Sequence, residues 1–467
     1  MRPHILLAVF LSLALLAGFL ISQYPPNFLI WGVLALILFL VAFLNVEWGL
    51  YILIFSMLLS PEISIGETTG ASLGRGVTLR FEDFLLVIIG FGWFAKNAVN
   101  KELGLFLKTP LNKAIFLYII TCIVSTGFGI MEGRVGAKTG SLFVLKYIEY
   151  FIVFFMVVNH VKSTDQVKRL VFCIFLTCFI ASFIGIFQIS EGVRVSAPFE
   201  GQRGEPNTFG GYLLFMGAIL FGIIIKTENR KLKYSLILLS LVIIPPFLFT
   251  QSRSSYLGLI PVCLILGSLT NHRIITVGLL LAGFLLSPLF LPIDVKNRIL
   301  YTFTQPEEAG QISLGGMRLD TSTSARIASL KEILKDWPKQ PLMGYGVTGY
   351  KFADAQYPRV LIETGLFGML AFLYLIYTLF KLTINRLKKI KTADFKGITI
   401  GFLAGFVGLL FHALGANTFI IVRIMEPFWF FAGIIVVLPA IECQSQTHLQ
   451  KSFHRSRKLA AAAPLSS

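Results

Sequence analysis

Apolar runs of 15 to 22 residues recur along nearly the whole 467-residue chain. Each is long enough to cross a hydrocarbon layer of roughly 30 Å as a helix. Lipid offers no partner for backbone N–H and C=O groups, so runs of this kind must pair those groups internally as helices. Composition agrees: 55% of residues are hydrophobic, 14% are charged and 44 are Phe. Soluble domains carry about 25% charged residues, and the mean hydropathy here is +0.77. The chain is read as an all-α polytopic membrane protein.

Candidate spans fall at 5–22, 28–44, 46–60, 82–96, 111–129, 142–160, 168–189, 207–225, 233–250, 255–270, 273–292, 358–380, 397–414 and 419–440. The count is about 12–14, because 28–44 with 46–60 and the short 82–96 admit more than one reading. The run Ile5 to Ser22 has a basic start at Arg2 and His4, but its apolar core is too long for a signal peptide. No small-residue cleavage pattern follows, so it is read as a retained first span.

The intervening loops alternate in charge. Lysines and arginines cluster at Lys96, Lys101, Lys108 and Lys113, at Lys162, Lys168 and Arg169, and at Lys226, Arg230, Lys231 and Lys233. The richest cluster runs from Lys381 to Lys396, and the tail adds Lys451, Arg455, Arg457 and Lys458. All fall on one side of the alternation, which the positive-inside rule makes cytoplasmic, with both termini inside. The net charge of +17 is therefore mostly topology, and nucleic acid is not expected as a partner.

This reading divides the chain into helices 1–11 over 1–292, an external loop over 293–357, helices 12–14 over 358–440 and a cytoplasmic tail over 441–467. The loop holds eight Lys/Arg against seven Asp/Glu, so it lacks the cytoplasmic bias. Within it Ile327, Leu330, Leu334 and Trp337 stand at helical spacing, with Thr323 or Ser324 as cap. Such a helix would lie on the bilayer surface, lid a cavity, or belong to a small cap with its own packing. The cysteines are odd in number and show no paired spacing, which argues against disulfides and zinc. The stretch Ala460 to Ser467 is of low complexity.

Charges in or at the ends of spans are costly and often functional. On the expected outer side stand Arg194, Arg203, Glu205, Arg253, Arg326, Asp354, Arg359 and Glu363, drawn from different loops and span ends. Converging arginines suit an anionic ligand, because guanidinium keeps its charge and grips phosphate oxygens bidentately. A single one would more often be an interfacial anchor. Asn207 is placed to cap the span that starts there, offering free N–H groups to an anion. Tyr357-Pro358 opens another span, on which Arg359 and Glu363 fall at i,i+4 and either pair or bind substrate. Lys146 with Glu149, Arg423 with Glu426 and Arg80 with Asp83 are expected to be structural pairs, and His412 a satisfied interior histidine. No Walker loop, HExxH or GxSxG pattern occurs in a credible context.

Three motifs in order carry a resemblance. They are Thr250-Gln-Ser-Arg-Ser-Ser-Tyr-Leu-Gly, then Arg326 followed by Pro341-Leu-Met-Gly-Tyr-Gly-Val, then Tyr357-Pro-Arg-Val-Leu-Ile-Glu-Thr-Gly-Leu-Phe-Gly. Together they resemble the O-antigen ligase and Wzy-type O-antigen polymerase superfamily, over about Arg203 to Gly368. The resemblance implies a bacterial glycosyltransferase of GT-C-like fold in the cytoplasmic (inner) membrane, its site facing the periplasm or outside. Its donor would be a glycan on undecaprenyl diphosphate. In the ligases a His taken as catalytic stands nine residues before the Glu of the ExG motif. Asp354 holds that position here, which favours a polymerase of O-antigen, capsule or exopolysaccharide over a ligase acting on lipid A–core.

In that scheme Arg203, Arg253 and Arg326 stabilise the diphosphate leaving group, and Asp354 is the base for the acceptor hydroxyl. Arg253, Arg326 and Asp354 form the expected catalytic set. Arg194, Arg203, Glu205, Asn207, Tyr357, Arg359 and Glu363 form the expected substrate-binding set. No cofactor or nucleotide sugar is expected, though the external acids leave room for a divalent metal. The expected partners are the lipid-linked glycan, membrane lipid and a chain-length regulator. A reading from another class is a lipid-linked oligosaccharide flippase, which would need charges through the depth of the membrane.

Overall fold

The computed structural model describes residues 26–60, 62–65, 77–99, 108–199, 204–269, 292–314 and 317–462. The expected spans 5–22 and 273–292, and the side chain of Arg203, lie outside the described residues.

Helices dominate. Among the described residues eight are long and apolar enough to cross a membrane by length and composition. They are α4 (Asn112–Met131), α5 (Ala137–His160), α6 (Thr164–Ser190), α7 (Pro206–Lys226), α8 (Arg230–Phe249), α12 (Gln356–Leu387), α13 (Ala393–His412) and the Val422–Ser445 part of α14 (Val422–Ala462). Shorter apolar segments lie in α1 (Pro26–Leu44), α2 (Val46–Leu59) and α9 (Arg253–Ser268). The helix α3 (Phe81–Val99) carries Glu82 and Asp83 in its first turn and Lys96 in its last. The fold is thus that of a multi-pass membrane protein, with fewer full-length spans among the described residues than the apolar runs suggest. Two small antiparallel hairpins interrupt it, β1 (Glu62–Ile65) with β2 (Val77–Arg80) and β3 (Ser313–Leu314) with β4 (Met317–Arg318).

With no hydrophobic drive between helices in lipid, association needs close packing, and small residues allow it. Gly222 on α7 lies against Gly401 on α13, where an added Cβ would come 2.6 Å from the Gly401 backbone. Beside this seam an aromatic core forms from Phe215, Phe402, Phe406, Phe428 and Phe431, with ring centroids 5.1 to 6.1 Å apart. Such edge and tilted contacts add to the area the rings bury.

Reading along the chain, the helix ends sort into two sets. The starts of α3, α5, α7, α9, α12 and α14 share one end of the bundle with residues 292–355. The starts of α4, α6, α8 and α13 share the other, with Lys96, Lys162, Lys226 and Lys388. These are called the loop end and the lysine-rich end below.

Helix α12 is broken near its loop end. Gly365 has φ 65° and ψ −164°, so the helical hydrogen bonds stop there. The segment Pro341–Gly349 fills the gap: Leu366 N donates to Pro341 O (2.8 Å), Tyr345 N to Ile362 O (2.9 Å) and Gly346 N to Glu363 O (2.8 Å). Ser125 Oγ on α4 reaches both Met343 O (2.6 Å) and Glu363 O (2.7 Å). Buried backbone groups must be paired somewhere, and here a loop replaces the missing turn.

The buried ionic groups also find partners outside the expected i,i+3 pairs. Lys146 Nζ binds Asp83 Oδ2 across helices at 2.9 Å, not Glu149 on its own helix. The Arg80 guanidinium binds Glu82 at 3.2 Å, and the Arg80 backbone N–H donates to Asp83 (2.9 Å). Arg423, fully buried, donates to Pro198 O and Ser60 O, each at 3.1 Å. Spacing along one helix puts two groups side by side. Burial between helices then brings nearer partners.

Candidate functional site

At the loop end, α9 begins directly after a sharp turn. Gln251 takes φ 50°, a left-handed conformation unusual for a residue with a Cβ, and Arg194 holds the turn. Its Nε donates to Thr250 O (3.0 Å) and its Nη2 to Gln251 O (3.2 Å). Ser252 caps α9, accepting from Ser255 N at 3.3 Å, and its hydroxyl donates to Asn207 Oδ1 at 2.7 Å. Arg253, the first residue of α9, is thereby aimed away from the bundle toward α10 (Ile293–Thr304) and α11 (Thr321–Asp336).

Arg253 Nη1 donates to Thr302 Oγ1 on α10 and Nη2 to Asp320 Oδ2, both at 2.7 Å. Asp320 also caps α11 through Oδ1, which accepts from Thr323 N at 3.3 Å. One turn into α11, Arg326 binds Asp354 Oδ2 through Nε (3.2 Å) and Nη2 (3.1 Å). The Asp354 side chain is 45% exposed and Arg326 22%, so the pair faces solvent. Ala353, beside Asp354, is anchored by Asn417 Nδ2 donating to its carbonyl at 2.7 Å.

A further cation joins them. Arg298 on α10 has a buried Nε without a hydrogen-bond partner, and its guanidinium lies 6.0 Å from the Tyr301 ring. Burial, then the neighbouring charge of Arg253, pull the Arg298 pKa below its usual value. Arg194 is pushed down to about 10, by burial first and then by Arg298 and Arg253. Asp320 is held low: burial would raise it, but its bonds to Arg253 and Thr323 outweigh burial. Among the described residues, two arginine–carboxylate pairs thus stand within electrostatic reach of two further guanidiniums, those of Arg194 and Arg298. An anion placed there would relieve a repulsion already built in.

The other expected site residues fall elsewhere or act structurally. Asn207 does not cap α7. Glu205 is the N-cap residue, Pro206 takes the first helical position, and Asn207 sits inside the first turn bonded to Ser252. A proline prefers that first position because its missing N–H is unneeded there. Glu205 accepts from Thr208 Oγ1 at 3.2 Å. Tyr357 Oη donates to Leu410 O (2.8 Å), tying α12 to α13. Arg359 and Glu363 pair at 3.0 Å with side chains 9% and 7% exposed, and Glu363 Oε1 also accepts from Thr348 N at 3.2 Å. That pair is enclosed beneath the loop rather than gathered with Arg253 and Arg326.

The cap of α11 is Asp320, not Thr323 or Ser324. Its apolar stripe is split: Leu330 and Leu334 are 41% and 53% exposed, while Trp337 packs against the buried Ile333 and Ile362. His412 is fully buried with Nδ1 2.7 Å from Thr418 Oγ1, but its Nε2 has no hydrogen-bond partner, so it is only half satisfied. Sequence reasoning missed Arg298 and Asp320. Both lie in the long loop, where no motif points to them, though a net charge near zero in an external loop was a hint that its arginines are paired. Among the described residues no group of His, Cys, Asp and Glu is set to hold a metal ion.

Comparison with protein families gives no match, and no curated protein matches this chain.

Proposed function

We propose that the protein is a glycosyltransferase that polymerises undecaprenyl-diphosphate-linked oligosaccharide repeat units into O-antigen, capsule or exopolysaccharide. The loop end would face the outside of a bacterial cytoplasmic membrane and the lysine-rich end the cytoplasm. The observation that carries this reading is the cluster Arg253, Arg298 and Arg326 with Asp320 and Asp354, assembled from four chain segments at one end of an apolar bundle. A membrane-bound donor with a diphosphate leaving group needs cations fixed where charge develops, at the membrane edge.

In this scheme the arginines bind and stabilise the departing diphosphate. Arg326 uses Asp354 Oδ2 for both its nitrogens, which orients the carboxylate while Oδ1 points to an acceptor hydroxyl as general base. Attack on the anomeric carbon from the face opposite the leaving group inverts it; the hydroxyl proton goes to Asp354 and the electron pair of the broken C–O bond to the diphosphate. Holding both lipid-borne substrates in one plane supplies orientation. The Arg359–Glu363 pair keeps the broken α12 and the 341–349 segment in place below.

The test is transfer by the purified protein in nanodiscs, supplied only with undecaprenyl-diphosphate repeat units and analysed on a gel. A ladder of longer lipid-linked glycans is expected, lost in a folded Arg253→Ala variant and reduced by about 10²-fold or more in Asp354→Ala. Transfer only when lipid A–core is added would replace this reading with a ligase. Failure of both would move it to a flippase.

A further inference from the structure

A polar cavity lies at the opposite, lysine-rich end, away from the arginine cluster. It measures about 160 Å³ and is lined by Asn45, Glu47, Lys96, His160, Lys162 and Gln166, with an apolar floor. Three helix junctions build it: the turn between α1 and α2 at Asn45, the last turn of α3, and the turn between α5 and α6. The last of these is rigid, because Ser163 and Gln166 form a reciprocal cap and Gln166 Oε1 also accepts from Lys162 N at 2.8 Å.

Charge in the cavity is unbalanced. The one carboxylate, Glu47, is already occupied: Oε1 accepts from Arg169 Nη2 (2.7 Å) and Tyr51 Oη (2.6 Å), and Oε2 from Gln166 Nε2 (3.0 Å). Among the described residues Lys96 Nζ meets only the neutral Leu44 carbonyl, at 2.9 Å. Among the described residues neither Lys96 nor Lys162 meets a carboxylate at ion-pair distance. The buried Nε2 of His160 has no hydrogen-bond partner among the described residues, and its ring stands edge-on to Trp93 at 6.2 Å. Two ammonium groups and a ring nitrogen therefore line one cavity, and no described residue supplies an anion to satisfy them.

We propose that this cavity is a binding site for a phosphate group, its oxygens accepting from Lys96, Lys162 and His160. The surroundings identify the source as the phosphodiester of an anionic lipid. Leu44 and Trp48, on either side of Asn45, are 73% and 59% exposed, and tryptophan collects at the headgroup level of a bilayer. Basic pockets between helices at that level are where anionic headgroups bind. A lipid held there would brace α1, α3, α5 and α6 against one another without touching the loop end.

The experiment uses the full chain in detergent, titrated with dioleoyl-phosphatidylglycerol and followed by native mass spectrometry. Thermal melts run in parallel with the same lipid, with dioleoyl-phosphatidylcholine and with inorganic phosphate. The expected result is one tightly retained phosphatidylglycerol, weakened about fivefold in Lys162→Gln and about thirtyfold when Lys96→Gln is added. Lys388→Gln, a lysine of the same end but outside the cavity, should leave retention unchanged. Protection by inorganic phosphate equal to that by phosphatidylglycerol, and lost in the same variants, would keep the phosphate site and make its ligand soluble. Equal retention in wild type and the double variant, with no phosphate effect, would overturn the proposal. The exposed Lys162→Gln alone decides the matter if Lys96→Gln fails to fold.

Discussion

Asp320 shows how much one side chain can decide. It neutralises Arg253, caps α11 and fastens α11 to α10 through its backbone, Asp320 N donating to Thr302 O at 2.9 Å. Its folded pKa lies below the ordinary carboxyl value of about 3.9. A depressed carboxyl contributes stability above its unfolded pKa and loses it as pH falls through the lower folded value. Thermal melts from pH 6 to 3 should therefore fall off below about pH 4 in wild type. Asp320→Asn should keep the cap, lose the ion pair, melt as if weakened by about 2 kcal/mol at neutral pH, and show a flatter acid limb. An identical acid limb in both would mean that other carboxyls govern it. Arg253 and Asp354 were legible as candidates because charge beside an apolar run stands out. Asp320 was not, since a loop acid looks solvated until its partner is seen.

Among the elements, the broken α12 and the segment stitched into it do most to shape the loop end. Gly344 has φ +69°, and an added Cβ there would come 2.6 Å from Glu363 O and 2.5 Å from Gly365 N. Gly344→Ala should cost at least about 2 kcal/mol, combining left-handed strain with overpacking. It should also loosen the Arg359–Glu363 pair. A melt within a degree of wild type would show that the segment is not seated rigidly. The Gly-Tyr-Gly and Glu-Thr-Gly stretches were visible in the sequence, but not that one completes the hydrogen bonding of the other, as from Gly346 N to Glu363 O. For α11 helical periodicity marked the apolar face but left open what it meets, and Leu330 and Leu334 face outward. An apolar stripe says which face avoids water, and beside a membrane that face need not be the one against the protein.

For the whole molecule, orientation is the property to test. With the five native cysteines replaced, single cysteines at the exposed positions Glu308 and Lys391 should react oppositely with an impermeant maleimide on intact cells. Position 308 should label and position 391 only after lysis; the reverse would place the arginine cluster in the cytoplasm. The apolar runs alone determined that the chain is helical and crosses a membrane repeatedly, because lipid leaves the backbone no other choice. The run of lysines on alternate loops determined the expected sidedness for a similar reason, each charge acting independently of the fold. Tertiary structure decided which charges meet. It paired Arg253 with Asp320 and Arg326 with Asp354, added Arg298, enclosed Arg359 with Glu363, and sent Lys146 to Asp83 rather than Glu149. Span formation depends on the sum over some twenty neighbouring residues. An ion pair depends on a few ångströms between segments far apart in the chain, a distance that only packing sets.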